Sequence, residues 1–324
     1  MSSNIYTSSP VTAHSAIIDK LAITFDVPDF QMQLIAKRLK EVVQEKFGSP
    51  CGSPNYRVGA KIWLNEHLVK EKATSSCITV HTQPKHDYHK ACRVEWNPSK
   101  VSTDDVAFIA FEDVLNTDFA LVYDGTVNRI DVAVDVDNVM IDELLFFAPK
   151  FQLFENRFKS GLTRYIGGRS GNRYYCCYDK RAQIIEHNTQ VNPLHKSEVP
   201  EYPRMRIEAV LRPKLWWPEC REIPNPFAPL KIRRFNCPTT GDKKECTDLA
   251  MVLRLARYEG LNAALAIYDT KRKQRLLRQV LQSQRECDWW DPTTLWTGFE
   301  ERFLEIDKLI NPASQTCGIA VNCN

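Results

Sequence analysis

The segment R-I-D-V-A-V-D-V-D, Arg129 to Asp137, alternates apolar and polar side chains with a period of two, and no other regularity restricts the fold of this chain as tightly. Successive side chains of a strand point to opposite faces, so Ile130, Val132, Val134 and Val136 fall on one side and Asp131, Ala133, Asp135 and Asp137 on the other. A helix would scatter both sets around its axis. A sheet buries the first set and is predicted to present the second.

Three further segments obey the same arithmetic. In R-M-R-I-E-A-V-L-R, Ile207, Ala209 and Leu211 turn inward while Arg206, Glu208, Val210 and Arg212 share the other face. In C-R-V-E-W-N, Val94 and Trp96 oppose Arg93, Glu95 and Asn97. The stretch Y-I-G-G-R-S-G-N-R-Y-Y-C-C-Y-D-K, Tyr165 to Lys180, folds back at its glycines as a hairpin, and its second strand aligns Tyr174, Cys176, Tyr178 and Lys180. Placed in one sheet, these strands gather Asp131, Asp135 and Glu208, with Glu95 as a further candidate, near Tyr178, Lys180 and Arg206.

Elsewhere Ile17 to Val27 reads as a strand and Asp29 to Lys46 as a helix, followed by strand-like runs at Lys61 to Leu64, Ser76 to Thr82 and Ala91 to Asn97. Ser102 is placed to cap a helix reaching Leu115, and Asp142 to Phe147 is predicted to begin another. After the break P-N-P-F-A-P, helical spacing returns at Thr247 to Asp269, Lys271 to Gln284 and Phe299 to Ile310. The predicted fold is α+β: an antiparallel sheet carrying the site, flanking helices, and a C-terminal helical region. The predicted division is a polar disordered tail over 1–15, a sheet-bearing domain over 16–225 and a helical region over 226–324.

At 324 residues, 43% hydrophobic and 26% charged, the chain can bury a substantial core and is not a disordered polymer. Its 11 cysteines are odd in number and irregularly spaced, without a C-x-x-C pair, so no disulfide framework is expected. His86 and His89 in H-D-Y-H are read as plain surface, since no zinc quartet can be assembled by spacing. No apolar run is long enough to cross a bilayer and the N-terminus lacks a hydrophobic signal core, so a cytoplasmic protein without membrane contact is expected. The net charge is only +3, yet 12 Lys/Arg against 5 Asp/Glu between 231 and 280, and 6 against 2 between 151 and 180, concentrate positive charge in a way that suits a polyanion.

Close carboxylates repel unless a cation lies among them, and hard oxygen ligands favour Mg²⁺ or Mn²⁺. A tyrosine beside such a metal and basic side chains is suited to in-line attack on a phosphodiester, leaving a covalent phosphotyrosine. Lys180 could neutralise charge building on the phosphate. On this chemistry the nucleophile could be Tyr165, Tyr174, Tyr175 or Tyr178.

At these residues the sequence resembles the trans-acting replication initiators of rolling-circle plasmids and some filamentous phages, together with the related conjugative relaxases. The matching segments occur in order: Cys92 to Lys100, Asn128 to Val136, Tyr165 to Lys180, and Arg206 to Arg212. The family's hairpin ends in Y-x-K, which carries over to Tyr178 as nucleophile and Lys180 as its partner. Its acidic strand carries over to Asp131 and Asp135, and its R-x-E strand to Arg206 and Glu208. Gly168, where the family often has Ser, and the pair Cys176-Cys177 depart from the pattern. No His-hydrophobe-His motif is present, which sets the chain apart from the relaxases that hold metal with histidines.

The resemblance implies an origin-specific nicking endonuclease and strand transferase. Tyr178, Lys180 and Arg206 would be catalytic, Asp131, Asp135 and Glu208 would hold Mg²⁺ or Mn²⁺, and Arg169, Arg173, Lys271, Arg272, Lys273 and Arg275 would contact DNA. The implied partners are double-stranded origin DNA, single-stranded DNA, a bacterial host's helicase and polymerase, and a second copy of the chain. A conjugative relaxase and a non-catalytic DNA-binding regulator are the alternatives.

Overall fold

The computed structural model describes residues 10–45, 48–63, 77–100, 111, 113–115, 119–148, 153–158, 161–190, 196–234, 243–259, 261–283 and 286–311. In chain order the elements are β1 (Thr12–Ala13), β2 (Ile17–Phe25), α1 (Asp29–Gln44), β3 (Gly48–Pro50), β4 (Tyr56–Trp63), β5 (Cys77–Pro84), β6 (Cys92–Trp96), α2 (Phe119–Tyr123), β7 (Thr126–Asp137), β8 (Leu144–Phe147), β9 (Leu153–Phe158), β10 (Gly161–Ile166) and β11 (Arg173–Asp179). They continue as α3 (Lys180–Gln190), β12 (Arg204–Leu211), β13 (Leu215–Trp216), β14 (Lys231–Arg234), α4 (Lys243–Glu259), α5 (Leu261–Ala266), α6 (Thr270–Ser283) and α7 (Pro292–Ile310). The fold is α+β, as expected.

The chain divides into two compact units. The first comprises Ile17–Val132, Leu211–Pro224 and Gly298–Asn324; the second comprises Met1–Ala16, Ala133–Val210 and Asn225–Thr297. Strand β7 contributes its residues up to Val132 to the first and the remainder to the second. One boundary between the units lies between Pro224 and Asn225, and the residues of 226–324 are shared between the units.

In the first unit the strand order is β3-β4-β5-β6-β2-β7, with antiparallel pairs from β3 through β6 to β2. Leu21, Ile23, Val80 and Val94 are fully buried in these strands, and α1 lays Ile35, Ala36 and Leu39 against the sheet. Trp217 stacks on Phe303 at 4.3 Å and donates its indole N–H to Asp307 at 2.9 Å, which satisfies a fully buried polar group. Gly125 leaves β2 close to the turn before β7: a Cβ there would lie 2.5 Å from the Ile23 side chain.

In the second unit the order is β7-β12-β11-β10-β9. Leu145 of β8 joins Leu249, Val252, Leu253 and Ala256 of α4, Ala264 and Leu265 of α5, and Leu276 and Val280 of α6 in one buried cluster.

Several expectations are corrected. Residues 142–147 are not helical: a 3-10 turn at Ile141–Glu143 leads into β8, whose run L-L-F-F pairs with β14. An apolar run this short suits a strand as well as a helix, and tertiary pairing decides. The polar segment expected to be a tail through residue 15 is strand-paired from Thr12, which lies opposite Asp137. The acidic face of β7 is covered rather than presented, since Asp131 is 4% and Asp137 5% exposed. Lys180 is the first residue of α3, not the last of β11. The helix expected over 102–115 lies largely outside the described residues. No described helix is long and apolar enough to cross a membrane.

Candidate active site

The hairpin β10–β11 pairs Thr163 with Tyr178, Arg164 with Cys177, Tyr165 with Cys176 and Ile166 with Tyr175. Gly167 takes φ 98°, a left-handed conformation that side-chain-bearing residues rarely adopt, and the Gly171 N–H then donates to the Gly168 carbonyl at 2.9 Å to close the turn. A Cβ on Gly168 would meet nothing within 4 Å, so the departure from serine there has no packing consequence.

This geometry separates the four tyrosines. Tyr175 is fully buried and donates its hydroxyl to the Pro226 carbonyl at 2.5 Å. Tyr174 is 6% exposed, with its ring 6.5 Å from that of Tyr165. Tyr165 is half-buried beneath the Arg169 guanidinium, 4.8 Å from the ring centre, and burial pushes its phenol pKa up. Tyr178 is half-buried, and its hydroxyl donates to Glu208 Oε1 on β12 at 2.6 Å. The Lys180 ammonium lies 5.8 Å from the Tyr178 ring centre and donates to Gln183 Oε1 at 2.8 Å. Asp179 accepts from the Ala182 N–H at 2.8 Å, so the start of α3 is capped immediately after the tyrosine.

The other acidic residues are held by arginines. Asp135 receives Nε and Nη2 of Arg206 at 2.6 and 2.8 Å. Asp131 receives Nε and Nη2 of Arg129, both at 2.7 Å. Burial pushes the Asp131 pKa up, and its bonds to Arg129 offset only part of that. Asp137 is likewise opposed by burial, but its bonds from Arg204 and from His14 prevail and hold it below the usual range. Glu95 is lowered in the same sense, with Lys20 at 2.9 Å and Arg93 at 2.5 Å outweighing burial.

These pairings do not fit the expected metal site. Four residues of extended strand separate Asp131 from Asp135 by about 13 Å, too far to chelate one ion. Each already forms a bidentate pair with a guanidinium, which satisfies its charge. Among the described residues, no three His, Cys, Asp or Glu side chains group so as to hold a metal ion.

Of the basic residues expected to contact DNA, Arg169, Lys271 and Arg275 are exposed while Arg173 and Lys273 are half-buried. Arg272 instead braces the helices, pairing with Asp248 and covering the Tyr268 ring at 4.9 Å. Sequence reasoning missed Arg129 and Arg204 as carboxylate partners. The first was legible, because Arg129 and Asp131 are two apart and share a strand face.

No family model and no curated protein matches the chain. Among solved structures, it is similar to a rolling circle replication initiator protein from Geobacillus stearothermophilus, with 16% identity over 73% of this chain and 91% of that one, at a TM-score of 0.35.

Proposed function

We propose that this protein initiates rolling-circle DNA replication by nicking one strand of an origin with Tyr178. The supporting observation is the 2.6 Å hydrogen bond from the Tyr178 hydroxyl to Glu208. A phenol near its ordinary pKa of about 10 is a poor nucleophile at neutral pH, and a carboxylate already accepting its proton is placed as general base. As the phenol oxygen attacks phosphorus, its proton passes to Glu208. The bond from phosphorus to the 3′ oxygen breaks, and that oxygen leaves as a hydroxyl after taking up a proton. The product is a 5′-phosphotyrosine and a free 3′ end for a polymerase. Lys180 offsets the charge that accumulates on the phosphate, and Arg169, Arg173, Lys271, Lys273 and Arg275 hold flanking phosphates.

The Mg²⁺ or Mn²⁺ expected from the acidic strands would have to displace a guanidinium from Asp135, and no step above depends on it. Nicking of supercoiled DNA from the replicon carrying this gene tests the reading, run with Mn²⁺ and with chelator. The wild type is expected to leave a covalent adduct that maps to Tyr178. Tyr178→Phe is expected to bind the DNA without cutting it. An adduct on another residue, or none, refutes the assignment.

A further inference from the structure

Two sets of strands repeat one arrangement. In chain order β2 is followed by β3, β4, β5 and β6, which line up as β3-β4-β5-β6-β2; β7 is followed, past β8, by β9 to β12, which line up as β9-β10-β11-β12-β7. The last strand of each set carries Arg-x-Glu: Arg93 and Glu95 on β6, Arg206 and Glu208 on β12. Residues two apart share a strand face, so each arginine projects beside its glutamate. In the second set Glu208 accepts the Tyr178 hydroxyl. In the first, β5 places Thr79 opposite Glu95 and His81 opposite Arg93, and Glu95 accepts from Lys20 and Arg93 instead. No tyrosine stands on β5.

What the first set keeps is an arginine whose fork is only half used. Arg129, Arg204 and Arg206 each grip a carboxylate through Nε and Nη2 together. Arg93 reaches Glu95 through Nη2 alone, at 2.5 Å, and its Nε is enclosed with no partner among the described residues. His81, directly opposite, leaves its Nδ1 in the same condition. The imidazole is fixed in place: Nε2 lies 3.4 Å from Cys51 Sγ, Tyr56 stacks on the ring at 5.8 Å, and the ring fills the space over Gly59, where a Cβ would come within 2.5 Å of Cδ2. With Nε2 accepting the Cys51 thiol proton, a neutral ring carries its N–H on Nδ1. Two donors left unsatisfied at facing positions of adjacent strands call for an acceptor with several oxygens. A guanidinium fork matches such an oxyanion, and on this face Lys20, Lys61 and Arg93 outnumber Glu95.

We propose that His81 and Arg93 form a phosphate seat in the first unit, a counterpart of the Arg206–Glu208 strand that lacks the nucleophile. The Arg93 side chain, 32% exposed and bonded to Glu95 at one nitrogen, turns its fork toward the incoming oxygens while Lys20 stays with Glu95. That the phosphate is a backbone phosphodiester of DNA rests on the initiator reading above; the seat rests on its own donors. The full-length protein is melted in increasing inorganic phosphate, with sodium chloride adjusted to constant ionic strength, and titrated into a fluorescein-labelled twelve-residue oligo(dT) followed by anisotropy. The wild-type melting temperature is expected to rise saturably with phosphate. Arg93→Lys keeps the charge but loses the fork, and is expected to weaken phosphate binding about 10- to 100-fold. His81→Gln is expected to weaken it about 3- to 10-fold.

If both variants also weaken the oligonucleotide and phosphate competes with it, the seat holds a backbone phosphodiester. If they weaken phosphate alone, the seat holds free phosphate. Wild type that binds neither probe, or variants that melt normally in chloride and match wild type with both probes, overturn the proposal. Should the seat variants bind normally while Tyr178→Phe abolishes nicking, the seat is wrong and the initiator reading stands. Should they lose phosphate while no nicking is ever found, the seat stands without the initiator.

Discussion

Tyr178 and Glu208 belong to neighbouring strands, with the phenol donating to the carboxylate across 2.6 Å. Glutamine at 208 would keep the shape but could not take up a proton at neutral pH. Glu208→Gln is therefore expected to slow single-turnover nicking by about 10²- to 10⁴-fold. Rates equal to wild type from pH 5 to 9 would exclude Glu208 as the base.

Arg206 and Asp135 form a pair in which the side chains are 8% and 20% exposed. Removing the carboxylate strands a buried cation, so Asp135→Ala is expected to destabilise the protein by about 3 kcal/mol in urea unfolding. Adding Arg206→Met should recover at least half of that loss. A purely metal-binding Asp135 predicts the opposite: little change in stability without metal, and loss of any Mn²⁺-dependent rise in melting temperature.

The lowered pKa of Glu95 gives a pH signature. A carboxylate whose folded pKa is depressed stabilises the fold fully above its ordinary pKa, and that contribution fades as pH falls through the folded value. Glu95→Gln should cost about 1–2 kcal/mol at pH 7, and progressively less in acid. Thermal melts of both proteins from pH 7 to pH 3 measure the convergence.

Burial raises the thiol pKa values of Cys92 and Cys287 to about 11 and of Cys220 to about 12. Nucleophilic thiolate is scarce at such values. Iodoacetamide at pH 8 should leave all three unmodified in the folded protein and alkylate them in guanidinium, as read by peptide mass spectrometry.

Strands with one dominant period are legible from sequence: R-M-R-I-E-A-V-L-R contains the whole of β12, Arg204–Leu211, and R-I-D-V-A-V-D-V-D lies entirely within β7, Thr126–Asp137. The hairpin was legible because its glycines sit where the chain must reverse. What the sequence concealed was lateral. Period-two reasoning assigns Asp135 and Arg206 to polar faces but cannot reveal that they meet across neighbouring strands, so carboxylates that looked available for a cation were already paired. Likewise L-L-F-F at 144–147 became a strand only because β14, from a distant part of the sequence, lies beside it.

Arg164, 1% exposed, gives its Nη1 to the carbonyls of Ile141 and Leu144, each at 2.8 Å, and its guanidinium lies 5.7 Å from the centre of the Phe146 ring. It stands opposite Cys177, one position before Tyr178. A slip of one residue in this hairpin would drag that cation off its two acceptors, so the alignment of the tyrosine is guarded by a charge that never approaches it. A hairpin grafted onto another sheet would arrive with its register unlocked unless the carbonyls of 141 and 144 travelled with it.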